Sequence, residues 1–316
     1  MPLISVILSV YNGSETIAET IKSVINQSFT DWELIIINDG SQDATLDVIN
    51  SIYDSRIQVF SHANSGQAFS NNRGLSLAKG EYISFIDADD LWTTDKLKDQ
   101  LKSLQNNPEA AVAISWTDHI DKSGQFLRQG PHPTFNGDAY TKLLLEDYVG
   151  SGSNPLIRKQ ALDEVGNFEV SLAPAADWDL WLRLLAKYNL VVVPHVQILY
   201  RQQSAGSVTQ NVLKMEQVSL KTLERAFANA PESLQHLKKI CLANRYKYLM
   251  AKALENYPTT QEGLIAFKCF VKAILHNPSI LTKSRFVSVL LIKILITIFL
   301  PKQSRILIET LKKLSA

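Results

Sequence analysis

The chain has 316 residues, of which 46% are hydrophobic and 20% are charged. This length and composition are typical of one large globular domain or two smaller ones, and they exclude a collagen, a coiled coil, a disulfide miniprotein and a disordered chain. The chain begins with a short apolar run and no basic segment, so we expect a buried first strand rather than a signal peptide. Cys241 and Cys269 lie too far apart in sequence for a zinc or redox motif, which favours a reducing, cytoplasmic compartment.

The net charge of +1 conceals two regions of opposite sign. Residues 1–210 contain 15 Lys and Arg against 25 Asp and Glu, whereas residues 211–316 contain 17 against 6. We therefore predict two domains, 1–210 and 211–316, that face different partners. The acidic domain suits metal-assisted phosphate chemistry, and the basic region suits an anionic surface.

The first half of the chain alternates short β-branched runs with helical patterns. The predicted strands are Leu3–Val10, Glu33–Asn38, Arg56–Phe60, Tyr82–Ile86 and Ala111–Trp116. The predicted helices are Ser14–Gln27, Ala44–Tyr53, Ala68–Ala78 and Thr93–Asn106. Because these strands are apolar on both faces, we expect an α/β fold with a mostly parallel sheet and helices on both of its faces.

The pattern changes beyond about residue 211, where no further strand is predicted. Helical periodicity covers Val212–Ala228, Leu234–Glu255 and Glu262–Leu275, with proline residues at the joins. The sequence thus predicts a C-terminal α-helical region.

Polar side chains follow three of the predicted strands. Tyr11 and Asn12 follow the first strand, Asp39 follows the second, and Asp87-Ala88-Asp89 follows the strand at 82–86. Ligands bind beyond the carboxyl ends of strands in open α/β sheets, so we expect a binding site there. Asp39-Gly40 is also a good turn pair, and for Asp39 alone a turn is as good an interpretation as a ligand contact.

Asp87 and Asp89 form the sharper signal, because two carboxylates after a buried strand suit Mg²⁺ or Mn²⁺ shared with substrate phosphates. The alternative is that Asp89 and Asp90 cap the helix that begins near Thr93.

Two further helices carry candidate residues. Arg73, on the helix at 68–78, is suited to a phosphate contact or to a surface salt bridge. Asp177 lies in the first turn of a helix with an apolar face, where it is suited to general-base catalysis and equally to helix capping. Asp179 is the next candidate for the base.

These segments resemble, in order and spacing, the family 2 glycosyltransferases of the GT-A fold. The matching stretches are Val6–Asn12, Asn38–Thr45, Gly66–Leu75, Phe85–Trp92 and Asp177–Trp181, and Tyr200-Arg201 with Ser207-Val208 is similar to the family's closing motif. The resemblance covers roughly residues 3 to 210. It implies an enzyme that transfers a sugar from a nucleoside-diphosphate sugar, such as a UDP-sugar, to a hydroxyl acceptor on a glycan or a lipid-linked oligosaccharide.

The resemblance also implies roles for single residues. Tyr11 and Asp39 would hold the nucleobase, Asp87 would contact the ribose, and Asp89 would bind the Mg²⁺ or Mn²⁺ that bridges the diphosphate. Asp177 would be the base that deprotonates the acceptor, giving inversion at the sugar carbon. The rest of the expected donor site is Asn12, Asn72 and Arg73.

The chain contains no Gln-x-x-Arg-Trp sequence, which argues for a non-processive enzyme. Two alternatives remain open at this stage: a non-catalytic nucleotide-sugar-binding module, and a nucleotidyltransferase on a similar sheet. We expect no nucleic-acid partner.

The segment 286–300 has 12 apolar residues and one charge, Lys293. A membrane span needs about 20 residues, so three alternatives stand: a buried helix, an interfacial helix and a span. Basic residues on both flanks favour docking of 286–316 on an anionic membrane surface, at the inner face of the cell membrane.

Overall fold

The computed structural model describes residues 1–202, 211–255, 259–282, 284–301, 303 and 307. The chain divides into two compact units, Met1–Leu143 with Asp147–Gln203, and Leu144–Glu146 with Ser204–Ala316. The predicted boundary at residue 210 lies outside the described residues, and the division at that point stays a prediction.

The strands of the first unit form one mixed sheet in the order β3-β2-β1-β4-β8-β6-β9-β5, and β7 pairs with β6. The strands are β1 Ile4–Val10, β2 Trp32–Asn38, β3 Ile57–Ser61, β4 Tyr82–Asp87, β5 Leu91–Trp92, β6 Ala110–Ile120, β7 Phe126–Gln129, β8 Leu156–Arg158 and β9 Asn189–Arg201. The helices up to residue 185 are α1 Ile17–Ile25, α2 Thr45–Asn50, α3 Gln67–Leu77, α4 Lys96–Asn106, α5 Tyr140–Leu145, α6 Lys159–Val165 and α7 Ala176–Leu185.

Strands β3, β2, β1 and β4 are mutually parallel. The side chains of β1 pack on both faces of this sheet. Val6 and Leu8 are buried in one cluster with Ile21 of α1. Ile7 lies between them in sequence and faces α3, so closely that any side chain at Gly74 would collide with it. Alternate residues of β1 therefore contact helices on opposite faces of the sheet, which confirms the predicted α/β class.

The rest of the sheet is mixed, and it departs from the predicted pattern. β8 runs antiparallel to both β4 and β6, while β9 is parallel to β6. The sequence analysis missed β5, β7, β8 and β9. β8 has three residues, too few to show a period, and β9 contains Pro194 where its register with β6 shifts.

The second unit is helical, as predicted. Its helices beyond residue 210 are α8 Val212–Asn229, α9 Glu232–Gln235, α10 Lys238–Ala253, α11 Thr260–His276 and α12 Ser284–Phe299. The predicted helix Leu234–Glu255 is therefore two helices. A cluster of buried side chains holds α10, α11 and α12 together, and it includes Leu249, Phe270 and Ile294. Thr259 and Glu262 form a capping box at the start of α11.

Within the described ranges, no helix combines the length and the hydropathy needed to cross a bilayer. On α12, Leu290 and Ile294 are buried, while Ile292, Leu295 and Phe299 are exposed. One side of this helix therefore belongs to the core of its unit, and the other side presents apolar residues to solvent.

Lys96 opens α4 with a fully buried side chain. Its ammonium donates to Ser84 Oγ at 2.6 Å and lies 3.9 Å from the ring centroid of Trp92. Burial lowers the pKa of Lys96 well below its ordinary value of 10.5. In the unfolded chain the same amine is solvated and keeps its proton up to about pH 10.

We predict that Lys96→Met stabilises the protein at pH 7 by on the order of 1 kcal/mol, because it removes the cost of burying the amine and keeps a similar volume. Since the unfolded chain binds this proton more tightly, wild-type stability should rise with pH between the depressed folded pKa and 10.5, and the variant should lose that rise.

Denaturant unfolding at several pH values measures both effects. Lys98→Met is the matched control, because the Lys98 side chain is 58% exposed and should change stability little. A Lys96→Met variant less stable than wild type at pH 7 would contradict the expectation.

Candidate active site

The register of the parallel strands brings the predicted site residues to one edge of the sheet. Ser9 of β1 pairs with Asp87 of β4, and Val10 pairs with Asn38 of β2. Tyr11 and Asp39 directly follow these positions. The three strand ends that the sequence singled out are therefore neighbours, as expected for an α/β ligand site.

Asp39 is buried, and its carboxylate organises the loop that leads into α3. Oδ1 accepts from the Ser65 amide at 2.7 Å, and Oδ2 accepts from the Gly66 amide at 2.9 Å. Gly66 has φ of 89°, which favours glycine. His62 Nδ1 lies 3.6 Å from Oδ1. The Asp39 carboxylate thus fixes the conformation of this loop. Each of its oxygens can accept one more hydrogen bond, for example from the N–H of a ligand.

Tyr11 and Asn12 form the turn after β1. The Tyr11 side chain is exposed. Asn12 has φ of 50°, and its Oδ1 accepts from the Gln42 amide at 2.8 Å, while its own amide donates to Ser41 Oγ at 3.0 Å. Asn12 therefore joins the turn after β1 to the loop after β2, beside the exposed Tyr11 ring.

Asp87 ends β4 and lies among other carboxylates. Its Oδ1 accepts from Gln67 Nε2 at 2.6 Å. Burial and repulsion by Asp90, Asp89 and Asp177 together raise the pKa of Asp87 well above its ordinary value. That repulsion shows that Asp177, from a helix ninety residues later in the chain, is brought into electrostatic range of Asp87.

Asp90 is fully buried beside them. Its Oδ2 accepts from Ser151 Oγ at 2.8 Å and Ser153 Oγ at 2.6 Å, and its Oδ1 accepts from the Arg201 amide at 3.0 Å. Burial, followed by repulsion from Asp89, raises the pKa of Asp90 to about 7. The alternative that Asp89 and Asp90 cap the helix near Thr93 is wrong, because α4 begins at Lys96 and its N-cap residue is Asp95.

Arg201, at the end of β9, ties three segments together around Asp89. Its Nε donates to the Asp89 carbonyl at 2.9 Å, Nη1 donates to the Lys122 carbonyl at 2.6 Å, and Nη2 pairs with Glu19 at 2.6 Å. Its side chain is 1% exposed. The backbone that presents Asp89 is therefore held by a buried guanidinium. Ser207-Val208 of the same expected motif lies outside the described residues.

Asp177 lies inside the first turn of α7. The N-cap is Ala175, which has no side-chain cap, and Asp177 Oδ1 accepts from the Trp178 amide at 2.7 Å. Asp177 thus bonds a first-turn amide from within the helix while staying in range of Asp87. Asp179 is 2% exposed, and its Oδ2 accepts from Arg183 Nε at 2.8 Å, so it is a structural ion pair rather than a second candidate base.

Two residues expected at the donor site make backbone contacts. Asn72 donates to the Phe168 carbonyl and accepts from the Phe168 amide, both at 2.9 Å. Arg73 Nη1 donates to the Ser61 carbonyl at 2.9 Å. These contacts join α3 to the chain ahead of α7 and to β3, and the donor-binding role of both residues stays a prediction.

Sequence reasoning missed three residues around Asp87. Gln67 and Ser153 bond it directly, with Ser153 Oγ accepting from the Asp87 amide at 2.9 Å. A side-chain carbon at Gly152 would lie 3.7 Å from Asp87 Oδ2, so this glycine keeps the space beside the carboxylate open. No local pattern marks these positions, because the contacts join segments 20 and 66 residues apart.

The oxygen donors of this edge suit a hard divalent cation shared with substrate phosphates. Among the described residues, no group of three or more His, Cys, Asp or Glu side chains is arranged to hold a metal ion.

A family model described as glycosyltransferase like family 2 matches residues 5–253 of the chain. The chain belongs to this family. It is therefore a glycosyltransferase, as the motifs predicted.

Among known proteins, the chain is 30% identical over 262 residues to WfaP of Escherichia coli, a UDP-Glc:alpha-D-GlcNAc-diphosphoundecaprenol beta-1,3-glucosyltransferase, covering 78% of this chain and 99% of that one. Two solved structures share the fold. S. aureus TarS 1-349 in complex with UDP-GlcNAc has a TM-score of 0.66 at 16% identity, over 90% of this chain and 92% of that chain.

The mannosyltransferase PcManGT from Pyrobaculum calidifontis, in complex with GDP-Man and Mn²⁺, has a TM-score of 0.60 at 18% identity, over 92% of this chain and 81% of that chain. Both likenesses confirm the predicted GT-A fold.

We predict that Gln67→Met weakens binding of uridine diphosphate about tenfold. The substitution removes the hydrogen bond that holds Asp87, the residue expected to contact the ribose, against the repulsion of its neighbours. A hydrogen bond to a charged group is worth ~1.5 kcal/mol. Calorimetry in the presence of Mn²⁺ measures the affinity. Gln160→Met, at an exposed position of α6, is the control, and equal affinity of Gln67→Met and wild type would show that Gln67 does not support Asp87.

Proposed function

We propose that this enzyme transfers a sugar, with inversion, from a nucleoside-diphosphate sugar to a hydroxyl acceptor, and that it uses a divalent cation. The observation that carries the proposal is that four carboxylates come within electrostatic range of one another. Asp87 ends β4, Asp89 and Asp90 follow it, and Asp177 lies in the first turn of α7. Sugar-nucleotide complexes of the two structural neighbours support it. The two alternatives left open by the sequence gain no support from the family match.

Asp177 is the proposed general base. It lies in the first turn of α7, accepts a hydrogen bond from the Trp178 amide, and is within electrostatic range of Asp87. The acceptor hydroxyl transfers its proton to Asp177 as its oxygen bonds to the anomeric carbon. The bond from that carbon to the diphosphate breaks, and the nucleoside diphosphate leaves from the opposite side.

Asp89 is the proposed protein ligand of Mg²⁺ or Mn²⁺. The Arg201 guanidinium holds the Asp89 backbone, and repulsion among the neighbouring carboxylates is the kind that a cation relieves. When bound, such a cation neutralises the negative charge that develops on the leaving diphosphate. The Mn²⁺ complex of the mannosyltransferase neighbour supports this role.

Asp39 and Tyr11 are proposed to bind the nucleobase. The buried Asp39 carboxylate is held rigidly by two loop amides, which orients it to accept from a ring N–H. Tyr11 follows the neighbouring strand β1, and its exposed ring is available to stack on a base. Asp87, which bonds Gln67 and lies near Gly152, is proposed to contact the ribose. Asn12 supports the turn that carries Tyr11.

The acceptor is proposed to be lipid-linked, and transfer to be non-processive. The E. coli relative WfaP, which is named for transfer to a GlcNAc-diphosphoundecaprenol, is similar to this chain over nearly its whole length. The absence of a Gln-x-x-Arg-Trp sequence supports a single transfer for each acceptor. A lipid-linked acceptor requires an enzyme at the membrane surface, and the basic C-terminal region suits the anionic cytoplasmic face.

We predict that Asp89→Asn abolishes the increase in uridine diphosphate affinity that Mn²⁺ produces, because it removes an anionic ligand and keeps the shape of the side chain. Isothermal titration with and without Mn²⁺ measures the difference. Asp95→Asn, at an exposed carboxylate just before α4, should behave as wild type. Unchanged metal-dependent affinity in Asp89→Asn would remove Asp89 from the metal site.

We predict that Asp177→Asn retains nucleotide affinity but lowers turnover by ~10²–10⁴, the usual contribution of a general base. The amide can still accept from the Trp178 amide, so the helix should keep its stability. Initial rates of nucleoside-diphosphate release, with a diphosphate-linked acceptor, measure the loss. Near wild-type turnover would leave Asp177 with only its role in the first turn of α7.

A further inference from the structure

The second unit presents two apolar stripes that its own core does not cover. On α11, Leu264, Phe267, Val271 and Leu275 recur at helical spacing, and each is exposed, Leu275 to 74%. On α12, Ile292, Leu295 and Phe299 do the same, and Phe299 is exposed to 74%. Side chains of this size are costly to leave in water when they form a continuous surface.

Both stripes lie on neighbouring helices, opposite the core that the helices share. Ala266 and Phe270 of α11 and Leu290 and Ile294 of α12 belong to one buried cluster. A side-chain carbon at Gly263 would lie 2.9 Å from Ile298, and Thr260 Oγ1 donates to the Ile298 carbonyl at 3.1 Å. The start of α11 therefore lies against the end of α12, and the two helices pack antiparallel.

Exposed apolar side chains concentrate in this part of the chain. Of the twenty large hydrophobic side chains that are exposed among the described residues, nine lie between residues 264 and 300. The surface formed by the exposed apolar residues of α11 and α12 is called here the α11–α12 face.

The stretch of sequence that carries this face has charges of one sign. The sequence contains no Asp or Glu between Glu262 and Glu309, and in the same interval it contains seven cationic residues. They are Lys268, Lys272, Lys283, Arg285, Lys293, Lys302 and Arg305. Lys272 is paired with Glu216 of α8 at 2.5 Å. A helical surface with exposed apolar residues, on a stretch of sequence that is rich in cations and lacks carboxylates, is complementary to an anionic lipid surface. Headgroups would meet the cations, and acyl chains would meet the apolar residues.

We propose that the α11–α12 face docks on an anionic bilayer, with α11 contributing as much as α12. The sequence predicted attachment through residues 286–316 only. The present proposal adds α11, which lies outside that segment, and it excludes the side of α12 that is buried in the core. The proposal does not depend on the proposed sugar transfer. Cations attract the unit within about a Debye length, and burial of the two stripes adds a contribution that salt does not screen.

Cosedimentation of the full chain with vesicles tests the proposal. We expect binding to phosphatidylcholine vesicles with about one third phosphatidylglycerol, little binding to pure phosphatidylcholine, and weaker but remaining binding at high salt. The α11 variant Phe267→Ser with Leu275→Ser, and the α12 variant Leu295→Ser with Phe299→Ser, should each lower the partition coefficient at least tenfold.

Phe126→Ser with Leu127→Ser is the control, because these two exposed side chains of β7 belong to the first unit. It should bind vesicles as wild type does. If the α11 variant also partitions as wild type does, α11 does not contact the bilayer. If the wild type binds neutral and anionic vesicles equally, the cations do not contribute to docking.

A second measurement does not rely on loss of binding. The chain has no Trp beyond Trp181, so Phe267→Trp places a new fluorophore on α11. Brominated lipids should quench its added emission, and should leave that of Phe126→Trp unchanged. Absence of quenching in Phe267→Trp would contradict docking through α11.

The other occupant of such a face would be a second copy of the chain. Light scattering should show the same mass for wild type and the α11 variant without vesicles, and a dimer that the variant loses would overturn the proposal. Binding of uridine diphosphate should be the same in both proteins. Loss of vesicle binding with intact nucleotide binding separates this proposal from the proposed function.

Discussion

The buried carboxylate of Asp90 holds the candidate active site together. It accepts hydrogen bonds from Ser151, from Ser153 and from the backbone of Arg201, so it joins the end of β4 to a loop before β8 and to the end of β9. Burial of a carboxylate is costly unless several donors satisfy it. The donors satisfy it here, and the segments that supply them are consequently held in place.

The same contacts hold the other carboxylates of the candidate site in place. Arg201 holds the backbone of Asp89, and Ser153 also bonds the amide of Asp87. At the other end of the site, Asp39 orders the loop before α3, whose first residue, Gln67, bonds Asp87. The carboxylates are therefore held within range of mutual repulsion. The proposed cation would relieve this repulsion. The proposed sugar transfer from a nucleoside diphosphate depends on carboxylates that are already in position before the substrate binds.

The sequence analysis was most accurate for the four parallel strands. The ends of β1, β2, β3 and β4 were predicted to within one residue, because their apolar runs are bounded by turn residues. β8 could not be predicted, because three residues carry no period, and β9 is interrupted by Pro194 at a shift in register. α9 and α10 were merged because the helical pattern continues across the break.

The residues of the candidate site also divide into those that a local sequence signal identifies and those that only the fold brings together. The motif residues Asp39, Asp87, Asp89 and Asp177 could be chosen from sequence because strand ends and helix starts are local signals. The contributions of Gln67, Gly152 and Ser153 could not, because they depend on which loops meet across the sheet. The sequence indicated Asp179 as the next candidate after Asp177, and it could not show the contact with Arg183 that makes Asp179 part of an ion pair.

The central claim is a single displacement in which Asp177 deprotonates the acceptor on the side of the sugar opposite the diphosphate. Proton NMR of the product formed from an α-configured UDP-sugar and a diphosphate-linked acceptor tests it most directly. The coupling constant of the new anomeric proton reports the configuration. A β-linked product is the result that the account predicts, and an α-linked product would contradict it, because retention cannot arise from one direct attack.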